Sequence, residues 1–347
     1  MQKYVIDGFL LKGNISGVVR YEYEIVRELD NMAHNLDLEL AIPEDCFNII
    51  NLKNINVIKL RGNTRSKFRT SFQLYILKSK RRFICLNNSM YLKRGGVICL
   101  HDIREYATNF KYVNFSFISK LKTKIKHRLI KCFAHDILTV SEFSKNEIIK
   151  KMGINESKIK VIYSAWQHTK RILPDEEIFN NHKYIDKKDY YFALGTIAKH
   201  KNIKWIIETA KNNSENQFII SGGENKVFGY DLIDKNISNL HYLGYLSDEE
   251  IAALMTYCKA FIFPSLYEGF GLPPLEALSY NAKVIVSKET CLPEIYGNSV
   301  HYIDPYDYNV DLDKLLNEPI ASAKDVLEKY SWEKSAKELY KLLLKIK

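Results

Sequence analysis

The chain is 347 residues long, 46% hydrophobic, and carries 51 Lys and Arg against 41 Asp and Glu, a formal net charge of +10. That length predicts about two domains with packed cores; there is no low-complexity tract, and no apolar run approaches the ~20 residues a bilayer-spanning helix needs. The charge is lopsided: residues 1–170 hold 30 basic and 15 acidic residues, and residues 61–131 hold 18 basic ones against Asp102 and Glu105 alone, which points to an anionic partner for the first half.

The N-terminus enters a strand over Tyr4–Ile6 directly and lacks the apolar core of a signal peptide. A loop from Gly13 to Gly17 leads into a helix over Val18–Leu29, where Val18, Tyr21, Ile25 and Leu29 share a face. Strands are predicted at Leu38–Ala41, Val57–Leu60, Phe83–Leu86 and Val97–Leu100. The last of these runs into His101 and Asp102, which either face a ligand at the strand end or cap one another without chemistry. Two basic stretches interrupt this half. Arg65 to Arg82 interleaves cations with Phe68, Phe72, Tyr75 and Ile76, and Ile118, Leu121, Ile125 and Leu129 form a helical stripe among Lys120, Lys122, Lys124, Lys126 and Arg128. Such a composition suits docking on an anionic membrane surface; a merely solvated basic face is the plainer alternative. No nucleic-acid reader motif accompanies it, so nucleic acid is not expected as a partner. His127 and His135 have no motif around them.

Residues 166–188 are polar, charged and interrupted by Pro174, and read as a linker. Strand and helix then alternate: strand Tyr190–Leu194, helix Ile203–Lys211, strand Phe218–Ile220, helix Asp248–Tyr257 behind an N-cap at Ser247, strand Ala260–Phe263, strand Lys283–Val286 and a short strand at Val300–Ile303. An amphipathic helix over Ser331–Leu344 ends the chain. Alternation of this kind predicts parallel, doubly wound α/β sheets, with ligands at the carboxyl ends of the strands. Three strand ends carry the right groups. Gly195-Thr196 precedes Lys201, a point charge suited to a diphosphate. Ser221-Gly222-Gly223 offers backbone amides, and the loop from Gly244 through Tyr245 and Leu246 can seat a flat base.

The most specific string is Glu268-Gly-Phe-Gly-Leu-Pro-Pro-Leu-Glu276. Gly269 and Gly271 permit close ligand approach and positive φ, and Pro273 and Pro274 suit a helix start. The amides of Phe270, Gly271 and Leu272 then form an electropositive helix entrance for an anion. Glu268 lies before that entrance and Glu276 one turn inside, where both can accept hydrogen bonds from sugar hydroxyls; paired glutamates on a solvated helix are the alternative.

These residues resemble the family-four retaining glycosyltransferases of GT-B type. The resemblance rests on Gly195-Thr196 through Lys201-Asn202, the loop at Gly244, Pro264 through Ala277 and Leu292-Pro293-Glu294. More loosely, it extends to Gly17-Val-Val-Arg20-Tyr21, His101-Asp102 and Ala134 through Lys145. It implies two Rossmann-like domains facing across a cleft: an acceptor-binding domain over residues 1–165 and a nucleotide-sugar domain over 189–330, with 331–347 able to pack back on the first. It implies ribose hydroxyls on Glu276, the donor sugar on Glu268, the diphosphate on Lys201 with help from amides near Gly17 and Gly271, and His101 near the reacting carbon. The chain departs from the family at Thr196 and His200, where arginines are usual, and at Ser164-Ala165, where Asn-Gly is usual.

The expected reaction is transfer of a hexosyl group, with retention, from a nucleoside diphosphate sugar to a hydroxyl of a glycan. That acceptor is expected to be lipid-linked and part of a cell-surface polysaccharide. The sugar nucleotide is a substrate, and no cofactor is expected. The six cysteines are scattered without metal-ligand spacing, no Asp-x-Asp appears, and neither a metal nor a disulfide is expected. The expected location is cytoplasmic, peripheral on the inner face of the membrane. The rival readings are a same-fold epimerase or phosphorylase, and a non-catalytic glycan- or nucleic-acid-binding protein.

Overall fold

The computed structural model describes residues 3–11, 16–44, 50–60, 81–89, 95–108, 111, 116–195, 198–223 and 237–346. Gly13, Cys46, Thr196 and nearly all of the basic stretch from Arg65 to Arg82 lie outside the described residues. The chain divides into two compact units, one of residues 1–110, 114–164 and 330–347, the other of residues 111–113 and 165–329.

The first unit is built on seven strands: β1 (Lys3–Asp7), β2 (Asp37–Pro43), β3 (Asn56–Leu60), β4 (Arg82–Cys85), β5 (Gly96–Cys99), β6 (Ala134–Thr139) and β7 (Ile159–Val161). All pair in parallel, in the order β3-β2-β1-β4-β5-β6-β7. Strands such as β1, β4 and β5 are apolar on both faces because helices cover each side of a parallel sheet. Val5, Phe83, Ile98 and Ile137 carry that core. Gly96 makes room for it: a Cβ there would lie 2.3 Å from the Phe83 ring.

The helix Gly17–Met32 starts at Ser16, whose hydroxyl accepts a hydrogen bond from the Val19 amide at 3.4 Å. Tyr21, Ile25 and Leu29 bury the face expected of them. The C-terminal helix, Trp332–Lys345, lies against it. Trp332 meets Tyr21 edge-on at 5.9 Å, Tyr4 donates to the Leu343 carbonyl at 2.8 Å, and Ser335 donates to the Tyr163 carbonyl at 2.7 Å. The last segment of the chain therefore completes the first unit.

The second unit carries β8 (Tyr190–Leu194), β9 (Gln217–Ser221), β10 (Leu240–Tyr242), β11 (Ala260–Phe263), β12 (Val284–Ser287) and β13 (His301–Ile303). They are parallel in the order β10-β9-β8-β11-β12-β13, around a core that includes Trp205, Phe218 and Ile262. Residues 166–188, polar enough to read as a linker, are folded onto this unit. They form a 3-10 turn, Gln167–Arg171, and a short helix, Glu177–Asn181, and they bury Ile178 and Ile185. Trp166 Nε1 donates to the Leu327 carbonyl at 2.8 Å, and the Asp175 amide to the Glu249 carbonyl at 3.0 Å. Both units are thus doubly wound parallel α/β layers, as the alternation predicts.

In each sheet the order reverses once, between β1 and β4 and between β8 and β11. In the first unit that reversal holds buried polar groups. Asn87 Nδ2 donates to the Asp7 carbonyl at 3.1 Å and to Glu22 at 3.2 and 3.3 Å. Burial and the neighbouring Asp7 charge push the Glu22 pKa well above the ordinary glutamate value, against the lowering effect of Asn87. The folded chain therefore keeps a proton on Glu22 that the unfolded chain releases near pH 4.5, so this group's contribution to stability falls as pH rises above that value. Glu22→Gln removes the titration. Its melting temperature should match the parent's near pH 4.5 and exceed it by a margin that grows as pH rises; parallel pH profiles would contradict a raised Glu22 pKa.

Candidate active site

Lys201 and Glu268 meet where β8 and β11, neighbours in the sheet, end side by side. The chain leaves β8 at Gly195 and turns back through Lys199–Lys201. It leaves β11 at Pro264 and runs to Glu268. These two exits are stitched together. The Leu266 amide donates to the His200 carbonyl at 2.7 Å, and Asn202 Nδ2 donates to the carbonyls of Pro264 at 3.2 Å and Pro305 at 2.9 Å. Asn202 holds a left-handed backbone at φ 55°, a conformation its short amide tolerates better than most side chains.

That framework brings Lys201 and Glu268 into direct contact, Nζ to Oε1 at 2.7 Å, with side chains only 20% and 13% exposed. Lys201 also lies 4.8 Å over the Phe263 ring, and its stem passes Gly195, where a Cβ would stand 3.6 Å away. The family resemblance implies that these two groups meet different parts of one ligand. Here they neutralise each other.

Glu268 is held by its backbone as well. Its amide donates to Thr290 Oγ1 at 3.2 Å, and its carbonyl accepts from Cys291 Sγ at 3.4 Å. Thr290 adopts φ 55°, which is strained for a β-branched residue. Neither residue carries a sequence signal of its own, although they immediately precede Leu292-Pro293-Glu294.

The helix Leu272–Ser279 begins at Gly271 as expected. Gly271 sits at φ 82°, ψ 61°, its carbonyl accepts from the Tyr296 hydroxyl, and a Cβ there would stand 2.6 Å from Leu292 Cδ2. Phe270 and Leu272 are buried, 5% and 8% exposed, so only their backbones can meet a ligand. Pro273 and Pro274 supply no amide, which confines the donors of the first turn to the entrance itself. One turn in, Glu276 Oε1 lies 2.8 Å from His168 Nε2. His168 belongs to the 3-10 turn Gln167–Arg171 and is 1% exposed; a position inside an expected linker concealed it.

The loop after β10 differs in part from expectation. The sequence predicts ligand-facing amides at Ser221-Gly222-Gly223; the Gly222 N–H instead donates to the Gly244 carbonyl at 2.8 Å, and the Ser221 hydroxyl donates to the same carbonyl at 2.9 Å. Two strand ends are closed on each other by this pairing, with Gly244 at φ 73°. Leu246 is buried beneath the loop and Tyr245 is 70% exposed.

In the first unit, Gly17 opens its helix and is exposed; a Cβ there would meet nothing within 4 Å. His101 lies just past β5, packed edge-on against Tyr21 at 4.8 Å. Its Nε2 is 2.8 Å from the Leu86 carbonyl, its carbonyl accepts from Ser144, and its amide donates to Asn88 Oδ1 at 2.8 Å. Burial lowers the His101 pKa, against the raising effects of the Leu86 bond and Asp102. The ring is therefore neutral at pH 7, with Nε2–H directed to Leu86 and Nδ1 left as an acceptor. His127 is buried edge-on to Tyr106 with a pKa lowered to about 4 by burial and Lys126, and His135 pairs with Asp136 at 2.7 Å. Among the described residues no three His, Cys, Asp or Glu side chains converge as metal ligands would.

Residues 174–334 match the family described as Glycosyl transferases group 1. The chain is 29% identical over 250 residues to the O-antigen chain mannosyltransferase RfbU of Salmonella typhimurium, covering 68% of this chain and 65% of that one. It is 30% identical over 196 residues to the N,N'-diacetylbacillosaminyl-diphospho-undecaprenol alpha-1,3-N-acetylgalactosaminyltransferase of Campylobacter jejuni, covering 53% and 51%. The fold is similar to that of sucrose-phosphate synthase from Thermosynechococcus elongatus, with a TM-score of 0.75 at 14% identity over 99% of this chain and 98% of that one.

Gly271 and Gly17 make opposite predictions for the same substitution. Gly271→Ala combines a left-handed backbone, roughly 1–2 kcal/mol, with overpacking against Leu292, about 1–3 kcal/mol. It should lower stability by about 2–5 kcal/mol in urea unfolding. Gly17→Ala should stay within about 0.5 kcal/mol of the parent, and an unchanged urea midpoint for Gly271→Ala would contradict the packing described.

Proposed function

We propose that this chain, whose residues 174–334 match the group 1 glycosyltransferases and whose fold is GT-B, moves a hexosyl group from a nucleoside diphosphate sugar to a hydroxyl of a lipid-linked glycan, with retention of anomeric configuration. The observation that carries this reading is the meeting of Lys201 and Glu268 at the strand-order reversal, with the Gly271 helix entrance and Glu276 following in the same loop and helix. Mannose is the first sugar to test, since one relative is named a mannosyltransferase of an O-antigen chain. A lipid-linked acceptor is supported by the diphospho-undecaprenol in the name of another.

The chemistry follows from charge. A departing nucleoside diphosphate develops negative charge, which Lys201 and the amides at the Gly271 entrance stabilise in place. When donor arrives, its pyrophosphate competes with Glu268 for the Lys201 ammonium. Glu268, which can only accept hydrogen bonds when ionised, is then released to take them from the sugar's hydroxyls. The departing phosphate oxygen can take the acceptor's proton on the same face, so Glu268 orients the sugar without bonding to it covalently. Glu276 accepts from ribose hydroxyls, the backbone beside Tyr245 and Leu246 seats the base, and the Gly222 strand end supports that loop. His101, neutral and with Nδ1 as acceptor, serves a hydroxyl of the sugar or acceptor, and Gly17 leaves its helix start open to phosphate. No metal or cofactor enters this scheme.

A panel of GDP-, UDP-, dTDP- and ADP-sugars should single out the donor by thermal shift, since ligand at a hundred times its dissociation constant stabilises by ~2.7 kcal/mol. With that donor, Glu268→Gln should lower transfer by about a hundredfold or more, ~2.7 kcal/mol of barrier, while the protein remains folded. Unchanged turnover would contradict the role given to Glu268.

We also propose that the helix Phe117–Phe133 meets an anionic lipid surface, at the inner face of the cell membrane. Phe117, Ile118, Leu121 and Ile125 are exposed along one stripe, from 81% to 45%, with Lys122, Lys124 and Arg128 exposed beside them. Lys126 is set apart, its pKa lowered by burial despite Glu105 and Asp102. No described helix is long and apolar enough to cross a membrane. Each basic residue near such a surface contributes about 1 kcal/mol. Vesicles with 30% phosphatidylserine should therefore sediment the protein, and neutral vesicles or Leu121→Glu/Ile125→Glu should lose it. Equal binding to both vesicle types would contradict this.

A further inference from the structure

We infer that His168 is a positioning residue for the donor's ribose: it aims the Glu276 carboxylate, and through it the protein distinguishes ribonucleotide from deoxyribonucleotide donors. The inference rests on the glycosyltransferase reading above.

Glu276 is one turn inside its helix, on a side chain with several rotatable bonds. A carboxylate that must accept hydrogen bonds from the two neighbouring hydroxyls of a ribose needs its plane fixed before the ligand arrives. His168 supplies the constraint. Its Nε2 lies 2.8 Å from Glu276 Oε1, and because an ionised carboxylate only accepts, Nε2 carries the hydrogen. With the imidazole 1% exposed, bulk water cannot readily replace that donor if it is removed.

The contact is separable from the fastening of its own segment. The turn Gln167–Arg171 is tied to the Glu276 helix by other bonds. The Thr169 and Ser279 hydroxyls lie 2.9 Å apart, and the Tyr280 hydroxyl lies 3.3 and 3.4 Å from the carbonyls of Thr169 and Ile172. Those bonds dock the turn without help from the imidazole. Of these contacts, the His168 ring alone ends on an acidic group of the site. By holding Oε1 from the protein side, His168 fixes the orientation in which the carboxylate meets a ligand. Loss of one ribose hydroxyl then leaves a carboxylate lone pair without a donor, which penalises a 2'-deoxy ligand.

The test uses the full chain, GDP and UDP with their 2'-deoxy forms, and binding by calorimetry. The ribonucleotide that binds the parent should bind His168→Ala about tenfold more weakly. Its 2'-deoxy form should bind parent and variant within twofold of each other. His168→Gln, whose amide can reach the place of Nε2, should recover most of the loss. His168→Asn, whose amide reaches only the place of Nδ1, should not, and it replaces the alanine variant if that fails to fold. In turnover, the donor KM should rise about tenfold while kcat and the acceptor KM stay within twofold. Equal losses for ribose and deoxyribose ligands would reduce His168 to a packing residue and overturn the inference. Affinity indifferent to His168 would overturn it while leaving the function standing. Absence of any nucleoside diphosphate binding by the parent would overturn both.

Discussion

The strand-order reversal between β8 and β11 is the constraint on which the candidate site depends. Two parallel strands that end side by side, with their connections leaving in opposite directions, open a crevice that no helix fills. Here both exits carry a charged side chain, and the hydrogen bonds from Leu266 to His200 and from Asn202 to Pro264 lock the exits together. Lys201 and Glu268 are consequently placed by backbone, and their 2.7 Å contact is a result of that placement. A partly buried pair of this kind contributes little net stability, because desolvation offsets attraction. Its value lies in holding two charges ready at one point without leaving either unpaired.

The same logic extends outward in layers. Thr290 and Cys291 grip the Glu268 backbone, Tyr296 grips Gly271, and His168 grips Glu276. Each of these partners comes from an element other than the one carrying the residue it holds. The strained Thr290 backbone and the tightly packed Gly271 show that the second unit tolerates local cost here in order to fix geometry. A comparable reversal in the first unit carries Asn87, Asp7 and Glu22, whose pKa burial raises, with Tyr21 against His101 just past β5.

Much of this was legible from residues alone. The alternation of apolar strands with amphipathic helices fixes a doubly wound α/β class, and Glu268 through Glu276 marks a glycine-opened, proline-started helix entrance, which the structure contains. Strands β6, β7 and β10 escaped the pattern for physical reasons. His135 and Asp136 interrupt β6, and β7 and β10 are only three residues long, with Lys160 and His241 at their centres. Periodicity over so few residues carries no signal, and neighbouring strands decide their fate. Residues 166–188 escaped for a related reason: their charges read as solvated chain, while Trp166, Ile178 and Ile185 dock them. His168 went unseen with them. Gly222 illustrates another limit, since sequence locates a glycine at a strand end but not the carbonyl that captures its amide.

The central claim is that the acidic pair and the Gly271 entrance grip an activated sugar. A crystal structure of the protein with its preferred nucleoside diphosphate sugar tests this most directly. The account predicts Glu276 within hydrogen-bond distance of the ribose hydroxyls, Glu268 on the hexose, and Lys201 turned from Glu268 to the pyrophosphate. A donor bound elsewhere, with the Lys201–Glu268 pair intact and neither glutamate touching it, would contradict the account.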